Sequence, residues 1–207
     1  MIVKICGVTR PEDADAAARA GADWLGLNFW PRSRRWINRE RARAVIDAAR
    51  AARPDVVVAG VFVDQIPDGV RELADDLGLD RVQLHGDEPP DVCALFGARA
   101  VKALPMGGDD DLARLADYAG CEVVLCDTPC LERGGSGRVF DWTLARRAVD
   151  AGRRVLLAGG LTPDNVAEAI AAVHPWGVDV ASGVESAPGI KDAERVVRFI
   201  EAAKGAV

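Results

Sequence analysis

The stretch VLLAGGLTPDNVAEAIAAVHPWGVDVASGV, residues 155–184, contains one complete strand–helix–strand unit. Its apolar runs Val155–Ala158 and Val178–Val180 have the length of buried strands, and Pro163–Val173 between them repeats apolar residues at helical spacing. Thr162 precedes the proline that opens this segment, a combination typical of a helix start. Two strands joined by a helix predict a parallel βαβ unit, and a glycine-containing loop follows each strand.

The same alternation continues to both ends of the chain without a linker. The predicted strands are Val3–Cys6, Trp24–Phe29, Val56–Val63, Arg81–Leu84, Ala100–Ala103, Glu122–Cys126, Val155–Ala158 and Val178–Val180. The predicted helices are Pro11–Ala20, Arg39–Ala52, Pro67–Leu77, Pro89–Phe96, Asp109–Ala116, Trp142–Ala151, Pro163–Val173 and Asp192–Ala203. Strands that are each followed by a helix predict a single α/β domain over residues 1–207, a (βα)8 TIM barrel. A doubly wound open sheet is the alternative, but the GxGxxG motif usual after its first strand is missing.

Strand parity predicts which side chains face the barrel interior. In the first strand Lys4 and Cys6 share one face, opposite Val3 and Ile5. The polar side chains of the other strands are predicted to point inward in the same way: Asn28, Gln83, His85, Lys102 and Asp179. Barrel enzymes have their active sites at the C-terminal mouth, so Cys6, at the end of its strand, is expected to face a ligand. Cys126 should point away from the mouth.

Charge and cysteine content exclude several classes of partner. The net charge of −6 and the pI near 5.0 argue against nucleic acid or an anionic membrane, because such partners require an excess of Lys and Arg. Five scattered cysteines, an odd number, suit free thiols in a reducing compartment. The chain has no signal-peptide pattern and no apolar run of about 18 residues, so the cytoplasm is the expected location.

The glycine-containing loops after the last two strands predict a phosphate site. Loops in these positions are the recurrent phosphate site of the fold. Gly159 and Gly160 allow the backbone to approach an anion, and the amides near Ser182 and Gly183 are placed to donate to phosphate oxygens. The alternative is that both loops are ordinary strand-to-helix turns.

Asp127 ends the sixth strand, before a loop that carries Gly134, Gly135 and Gly137. A carboxylate at the barrel mouth can act as a general acid if its surroundings raise its pKa, although a helix cap or an ion pair would look the same. The glycine-rich loop is able to close over a ligand and exclude water, but a merely mobile surface loop would have the same sequence pattern.

Arginines crowd the loop after the second strand. Arg32, Arg34 and Arg35 lie between Trp30 and Trp36, an arrangement suited to holding a carboxylate or phosphate by forked guanidinium bonds. We expect only one of them to face the ligand.

Cysteine and histidine are the remaining residue types that could bind a metal or a ligand. The spacing of Cys121, Cys126 and Cys130 fits no common zinc pattern and no histidine is near, so no metal is expected. His85 is either a ligand contact or a hydrogen-bonded histidine of the barrel interior.

Motifs spread along the chain match those of one known family. They are KICGVT at Lys4–Thr9, GLNFWPRSRRWI at Gly26–Ile37, GVFVD at Gly60–Asp64, VQLHGDEP at Val82–Pro89, LCDT and GGSGRVFDW within Leu125–Trp142, AGGLTPDNV at Ala158–Val166 and VDVASGVESAPGIKD at Val178–Asp192. They occur in order over nearly the whole chain, and through them the chain closely resembles the phosphoribosylanthranilate isomerase family of tryptophan biosynthesis.

The resemblance implies a cofactor-free Amadori rearrangement of a small phosphorylated aminoaldose to a ketose. It makes Cys6 the general base and Asp127 the general acid, and it places Arg35 at the anthranilate carboxylate. It also assigns phosphate-binding amides to Gly160 and Gly183, with Asp179 as an internal aspartate near the substrate. Lys4, on the same strand face as Cys6, is a candidate for keeping the thiol ionised, although burial of both groups would act against this.

Two departures from the family pattern and two rival functions remain at this point. Ala181 replaces the first of two serines before GVE, and SRR stands where SPR or SKR is frequent, which blurs which arginine binds the carboxylate. The histidine-pathway isomerase performs the same rearrangement on a larger substrate, but it would need Asp in place of Cys6 and a glycine-rich phosphate loop in each half. A non-catalytic barrel that senses a phosphorylated ligand is the other rival. Both monomers and homodimers are compatible with the family, and a monomer is preferred.

Overall fold

A computed structural model describes residues 1–127 and 142–206. The parallel strands form a closed barrel in chain order. They are β1 (Ile2–Cys6), β2 (Trp24–Asn28), β3 (Val57–Phe62), β4 (Arg81–Leu84), β5 (Ala100–Pro105), β6 (Val123–Asp127), β7 (Arg154–Ala158) and β8 (Gly177–Val180). The barrel closes between β8 and β1, where Lys4 lies beside Asp179. The prediction of a single (βα)8 barrel fold is therefore confirmed.

Helices surround the barrel, and a short hairpin follows its last strand. They are α1 (Pro11–Arg19), α2 (Arg39–Ala52), α3 (Pro67–Leu77), α4 (Pro90–Ala94), α5 (Asp109–Ala113), α6 (Thr143–Asp150), α7 (Val166–Val173) and α8 (Ala193–Gly205). The hairpin, β9 (Glu185–Ala187) and β10 (Ile190–Lys191), lies between β8 and α8 and was not predicted. None of the helices in the described ranges is long and apolar enough to cross a membrane.

Two apolar layers separate the inside of the barrel from its outside. The outer layer packs strand residues such as Val3, Ile5 and Cys126 under the helices. The inner layer fills the barrel with Trp24, Ala59, Val101, Ala103, Val123, Leu125, Leu156 and Ala158. Of the polar side chains that face inward, those at the C-terminal ends of the strands form the mouth, and Lys4, Gln83 and Asp179 are buried inside the barrel.

Lys102 is the residue for which the parity prediction is wrong. Its neighbours Val101 and Ala103 belong to the inner layer, so Lys102 points outward. There it is fully buried, donates to Glu88 Oε2 at 2.7 Å and lies 5.5 Å from the ring centroid of Tyr118. A buried lysine is tolerated on the outer face because this carboxylate neutralises it, so polarity alone does not identify the inward face.

Some predicted element boundaries are also wrong. Helix α7 starts at Val166, three residues after the predicted Pro163, because the Asn165 carboxamide accepts from the Thr162 amide at 2.7 Å and stabilises a turn there. The fourth and fifth helical regions are each divided into a short α-helix and a separate 3-10 turn, at Gly97–Arg99 and Arg114–Ala116. These differences lie on the outside of the barrel or in its connections and leave the barrel topology unchanged.

Candidate active site

A cavity of about 290 Å³ opens at the C-terminal mouth of the barrel. It is lined by residues from the ends of several strands, the construction expected of a barrel active site. Those predicted from the sequence are Cys6, Arg35, His85, Asp127, Gly159, Gly160, Asp179 and Ser182. Gly183 lies next to this lining. The structure therefore brings the predicted site residues to one place, while the chemical role of each is a separate question.

Cys6 lies at the end of β1, where the strand passes into Gly7. On the neighbouring strand, a side chain at Gly26 would come within 2.7 Å of Cys6 Sγ, so only glycine leaves room for the thiol. Burial raises the pKa of Cys6 above that of a free thiol, and the nearby ammonium groups of Lys4 and Lys191 offset this effect only in part. In the free protein Cys6 is therefore mainly a thiol at neutral pH.

Lys4 lies under Cys6 and is completely buried. Its ammonium group donates to Gln83 Oε1 at 2.9 Å and to Asp179 Oδ1 at 3.0 Å. Burial lowers the pKa of Lys4, but the attraction of Asp179, with a smaller contribution from Cys6, outweighs burial and the net pKa is raised. Lys4 is therefore a fixed positive charge inside the barrel, next to the proposed base.

His85 and Asp127 lie on the other side of the mouth. His85 Nδ1 is 2.9 Å from Gln83 Nε2, and its Nε2 is 3.6 Å from Asp127 Oδ2. The Asp127 side chain is 44% exposed, so a ligand can reach it from the cavity. A carboxyl group at this position can exchange a proton with a bound molecule.

Arg35 is the arginine of its loop that lines the cavity. Arg32 lies over the Trp30 ring at 5.5 Å, and Arg34 is exposed. The Arg35 guanidinium donates from Nε and Nη2 to the two carboxylate oxygens of Glu185, each at 2.7 Å. This fork uses one edge of the guanidinium, so Nη1 can still meet a ligand carboxylate.

Glu185 and Lys191, on the hairpin, are site neighbours that sequence reasoning missed. Lys191 Nζ is 3.0 Å from Glu185 Oε1 and donates to the Ala181 carbonyl at 3.0 Å. Burial acts to raise the pKa of Glu185, but the hydrogen bonds from Arg35 and the charge of Lys191 lower it overall. Burial lowers the pKa of Lys191 despite the attraction of Glu185. The signal was present in the sequence as a Glu and a Lys on either side of a Pro–Gly turn.

The glycine-containing loops after β7 and β8 pack against each other. Gly159 and Gly160 have φ angles of 94° and 62°, values that residues with a side chain rarely adopt. The Asn165 carboxamide donates to the Gly160 carbonyl at 3.1 Å. A side chain at Gly183 would collide with the Leu161 carbonyl oxygen, so Gly183 is what allows the close approach. The 3-10 turn Ser182–Val184 begins at this contact, and its first residue lines the cavity.

Other sequence predictions for this region fall outside the described ranges or away from the mouth. The loop with Gly134, Gly135 and Gly137, and Cys130, lie outside the described residues. Burial raises the pKa of Cys126 to about 12, and its side chain packs in the outer layer, as predicted. Within residues 1–127 and 142–206, no three His, Cys, Asp or Glu side chains are grouped so as to hold a metal ion.

Comparison with known proteins places these features in a family. Residues 3–202 match the family model described as N-(5'-phosphoribosyl)anthranilate isomerase. A relative of that name from Myxococcus xanthus is 51% identical over 205 residues, which cover 98% of this chain and 95% of the relative. The crystal structure of phosphoribosyl anthranilate isomerase from Thermotoga maritima superposes with a TM-score of 0.90 at 41% identity, covering 99% of this chain and all of the other. A further structure of the isomerase, in complex with reduced 1-(o-carboxyphenylamino)-1-deoxyribulose 5-phosphate, gives a TM-score of 0.87 at 38% identity, over 99% of this chain and 100% of the other.

Proposed function

Since this chain belongs to the N-(5'-phosphoribosyl)anthranilate isomerase family, we propose that its mouth cavity isomerises N-(5'-phosphoribosyl)anthranilate with Cys6 as base and Asp127 as acid. The chain is a tryptophan-pathway isomerase that converts an aminoaldose to a ketose. The histidine-pathway enzyme and the non-catalytic barrel are therefore set aside as its main function. What is proposed is which residues carry out each step.

The substrate phosphate binds at the loops after β7 and β8. This placement is supported by the positive φ angles of Gly159 and Gly160 and by the amides at the start of the 3-10 turn at Ser182, which suit an anion. The anthranilate carboxylate then meets Arg35, whose Glu185 fork holds the guanidinium in place. With both ends of the substrate held, the ribose lies between Cys6 and Asp127.

Asp127 carries out the first step. Its carboxyl group gives a proton to the ribose ring oxygen, and the bond from C1′ to that oxygen breaks. The lone pair of the aniline nitrogen forms a double bond to C1′, so that the substrate becomes an open-chain iminium cation. Asp127 is left as a carboxylate.

Cys6 carries out the second step. Its thiolate takes the proton from C2′, and the electrons of that bond return through C1′ to the nitrogen, which gives a neutral enolamine. Because burial raises the pKa of Cys6, its thiol first has to pass its proton to solvent water, and the positive charge of the iminium, beside that of Lys4, favours this ionisation. The enolamine gains a proton at C1′ and loses the 2′-hydroxyl proton, which produces the ketone.

The observation that carries the proposal is that Cys6 and Asp127, on strands β1 and β6, line one cavity together with the phosphate loops. The test uses freshly prepared phosphoribosylanthranilate, followed by loss of its fluorescence. Cys6→Ser and Asp127→Asn should each lower kcat by about 10²- to 10⁴-fold or more. Binding of a reduced product analogue should stay within about threefold of the unchanged protein, since neither side chain holds the phosphate or the carboxylate. Near-normal turnover in either variant would remove that residue from the mechanism.

The location and assembly of the protein remain proposals as well. We propose a cytoplasmic enzyme that acts on a small phosphorylated substrate, needs no cofactor, and is a monomer or a homodimer. Support comes from the acidic composition, which does not suit nucleic acid or an anionic membrane, and from the scattered cysteines. Light scattering during gel filtration, at several protein concentrations, would distinguish the two assembly states.

A further inference from the structure

A row of polar side chains crosses the barrel beneath the cavity. It runs from Lys4 Nζ to Gln83 Oε1 at 2.9 Å, from Gln83 Nε2 to His85 Nδ1 at 2.9 Å, and from His85 Nε2 toward Asp127 Oδ2 at 3.6 Å. Lys4 and Gln83 are both buried, so water does not compete for the hydrogen bond between them. The proposed steps use Cys6 and Asp127 but leave Gln83 without a function.

The direction of each bond in this chain follows from chemistry. A lysine ammonium has only donors, so Gln83 must turn its carbonyl oxygen to Lys4. The carboxamide then has only its NH2 group for His85, and a donor at this distance requires Nδ1 to be the acceptor. In a neutral imidazole the other nitrogen must carry the proton. His85 therefore presents Nε2–H, not a lone pair, to Asp127.

We propose that Gln83 is a positioning residue, which fixes His85 in the Nε2–H form so that no imidazole lone pair competes with the substrate for the Asp127 proton. A lone pair on Nε2 would accept the carboxyl proton and compete with the ribose ring oxygen. An Nε2–H group donates instead to the unprotonated oxygen of the carboxyl, and leaves the O–H directed at the substrate. The two atoms are 3.6 Å apart in the free protein, and catalytic hydrogen bonds that are long in a free enzyme often tighten when the substrate binds.

The direct test is the nitrogen NMR spectrum of His85. The chain has only two histidines, and His174→Asn leaves His85 as the single imidazole. Asn suits position 174, which is exposed and has a φ of 52°. The free protein should show one tautomer, with the proton on Nε2 and none on Nδ1. A proton on Nδ1, or an even mixture of tautomers, would overturn the proposal without any further variant.

Gln83→Glu reverses the direction of the hydrogen bond to His85 with little change in the size of the side chain. Lys4 keeps an oxygen partner, but His85 Nδ1 now faces a carboxylate oxygen and must carry a proton. Asp127 then faces either an Nε2 lone pair, which takes its proton, or an imidazolium, which stabilises its carboxylate. We expect a proton on Nδ1 and a fall in kcat of about tenfold or more, with KM within about threefold of the unchanged protein.

Gln83→Met is the matched control, because it fills the same space and directs neither neighbour. It should give a mixture of His85 tautomers and a smaller loss in kcat than Gln83→Glu. An unchanged nitrogen spectrum in Gln83→Glu, or equal losses in the two variants with no change in tautomer, would reduce Gln83 to a packing role. The predicted loss of kcat rests on the proposed function, in which Asp127 is the acid. The predicted tautomer of His85 does not depend on that role. A failure of Asp127→Asn to slow turnover would thus remove the proposed function and leave the tautomer assignment standing.

Discussion

Replacement of Lys4 by Met should destabilise the protein strongly, because it leaves a buried carboxylate without its cation. Lys4 is fully buried, and the Asp179 side chain is only 9% exposed. Removal of one partner of a buried ion pair costs roughly 3–5 kcal/mol in unfolding free energy. For a chain of 207 residues, that loss corresponds to a fall in Tm of about 6–20 °C, at roughly 2–4 °C per kcal/mol.

The pH dependence of this loss has a definite sign. The folded-state pKa of Lys4 is raised, so its contribution to stability is complete below the unfolded pKa of roughly 10.5 and disappears as pH rises through the folded value. The difference in unfolding free energy between Lys4→Met and the unchanged protein should therefore be constant from neutral pH to about pH 10. It should shrink only above that range.

The assay is urea unfolding at pH 7, arranged as a double-mutant cycle with Asp179→Asn. We expect the double variant to lose about 2–3 kcal/mol less unfolding free energy than the two single variants lose in sum, because the carboxylate and the ammonium are removed together. Lys204→Met is the control, since its ammonium lies 3.4 Å from Asp23 at the surface and its loss should cost less than about 1 kcal/mol. A Lys4→Met variant within about 1 kcal/mol of the unchanged protein, or additive losses in the cycle, would refute the reasoning.

Three further predictions concern the cavity. Gly183→Ala should raise KM about tenfold or more and weaken inhibition by inorganic phosphate, because its side chain meets the Leu161 carbonyl oxygen, whereas Gly69→Ala, in open space on α3, should change neither. Arg35→Lys should raise KM about tenfold, because one ammonium cannot fork to Glu185 and bind a carboxylate, and an analogue without the carboxylate should bind both proteins equally. Alkylation of Cys6 by iodoacetamide, measured against Cys6→Ser as the blank, should be slow at pH 7 and rise steeply above pH 9, as its raised pKa requires; half-maximal reaction below pH 8 would contradict this.

The fold could be predicted because local sequence signals carry it. Apolar strand runs, helix starts with proline and glycine turns recur in one order along the chain, and that order alone implies the barrel. The local signals failed where the environment of a side chain depends on a residue elsewhere in the sequence. Lys102 faces outward because Glu88 neutralises it, and no local pattern shows this partnership.

The site could be predicted less completely, for the same reason. Strand parity correctly predicted that Cys6, Gln83, His85 and Asp179 face the barrel interior, since the alternation of side chains along a strand is a local property. The Arg35 fork to Glu185 joins residues 150 positions apart, so it appears only when the barrel has closed. The hydrogen-bond direction from Lys4 to His85 likewise needs β1 and β4 to face each other across the closed barrel, although each of its residues was visible in the sequence.

The position of Lys4 connects the two halves of the proposed chemistry. Its ammonium lies beside Cys6, where it partly offsets the burial of the thiol, and it also starts the hydrogen bonds that run through Gln83 to His85, which faces Asp127. A hydrophobic residue at this position would avoid the cost of burying a charge, and such replacements of buried pairs are often neutral or stabilising. A lysine and aspartate pair at the centre of a barrel is therefore poorly explained by stability alone. If Lys4 serves both the base and the acid, the Lys4→Met/Asp179→Asn protein should recover much of its stability yet stay nearly inactive, and recovery of both together would show that the pair is only structural.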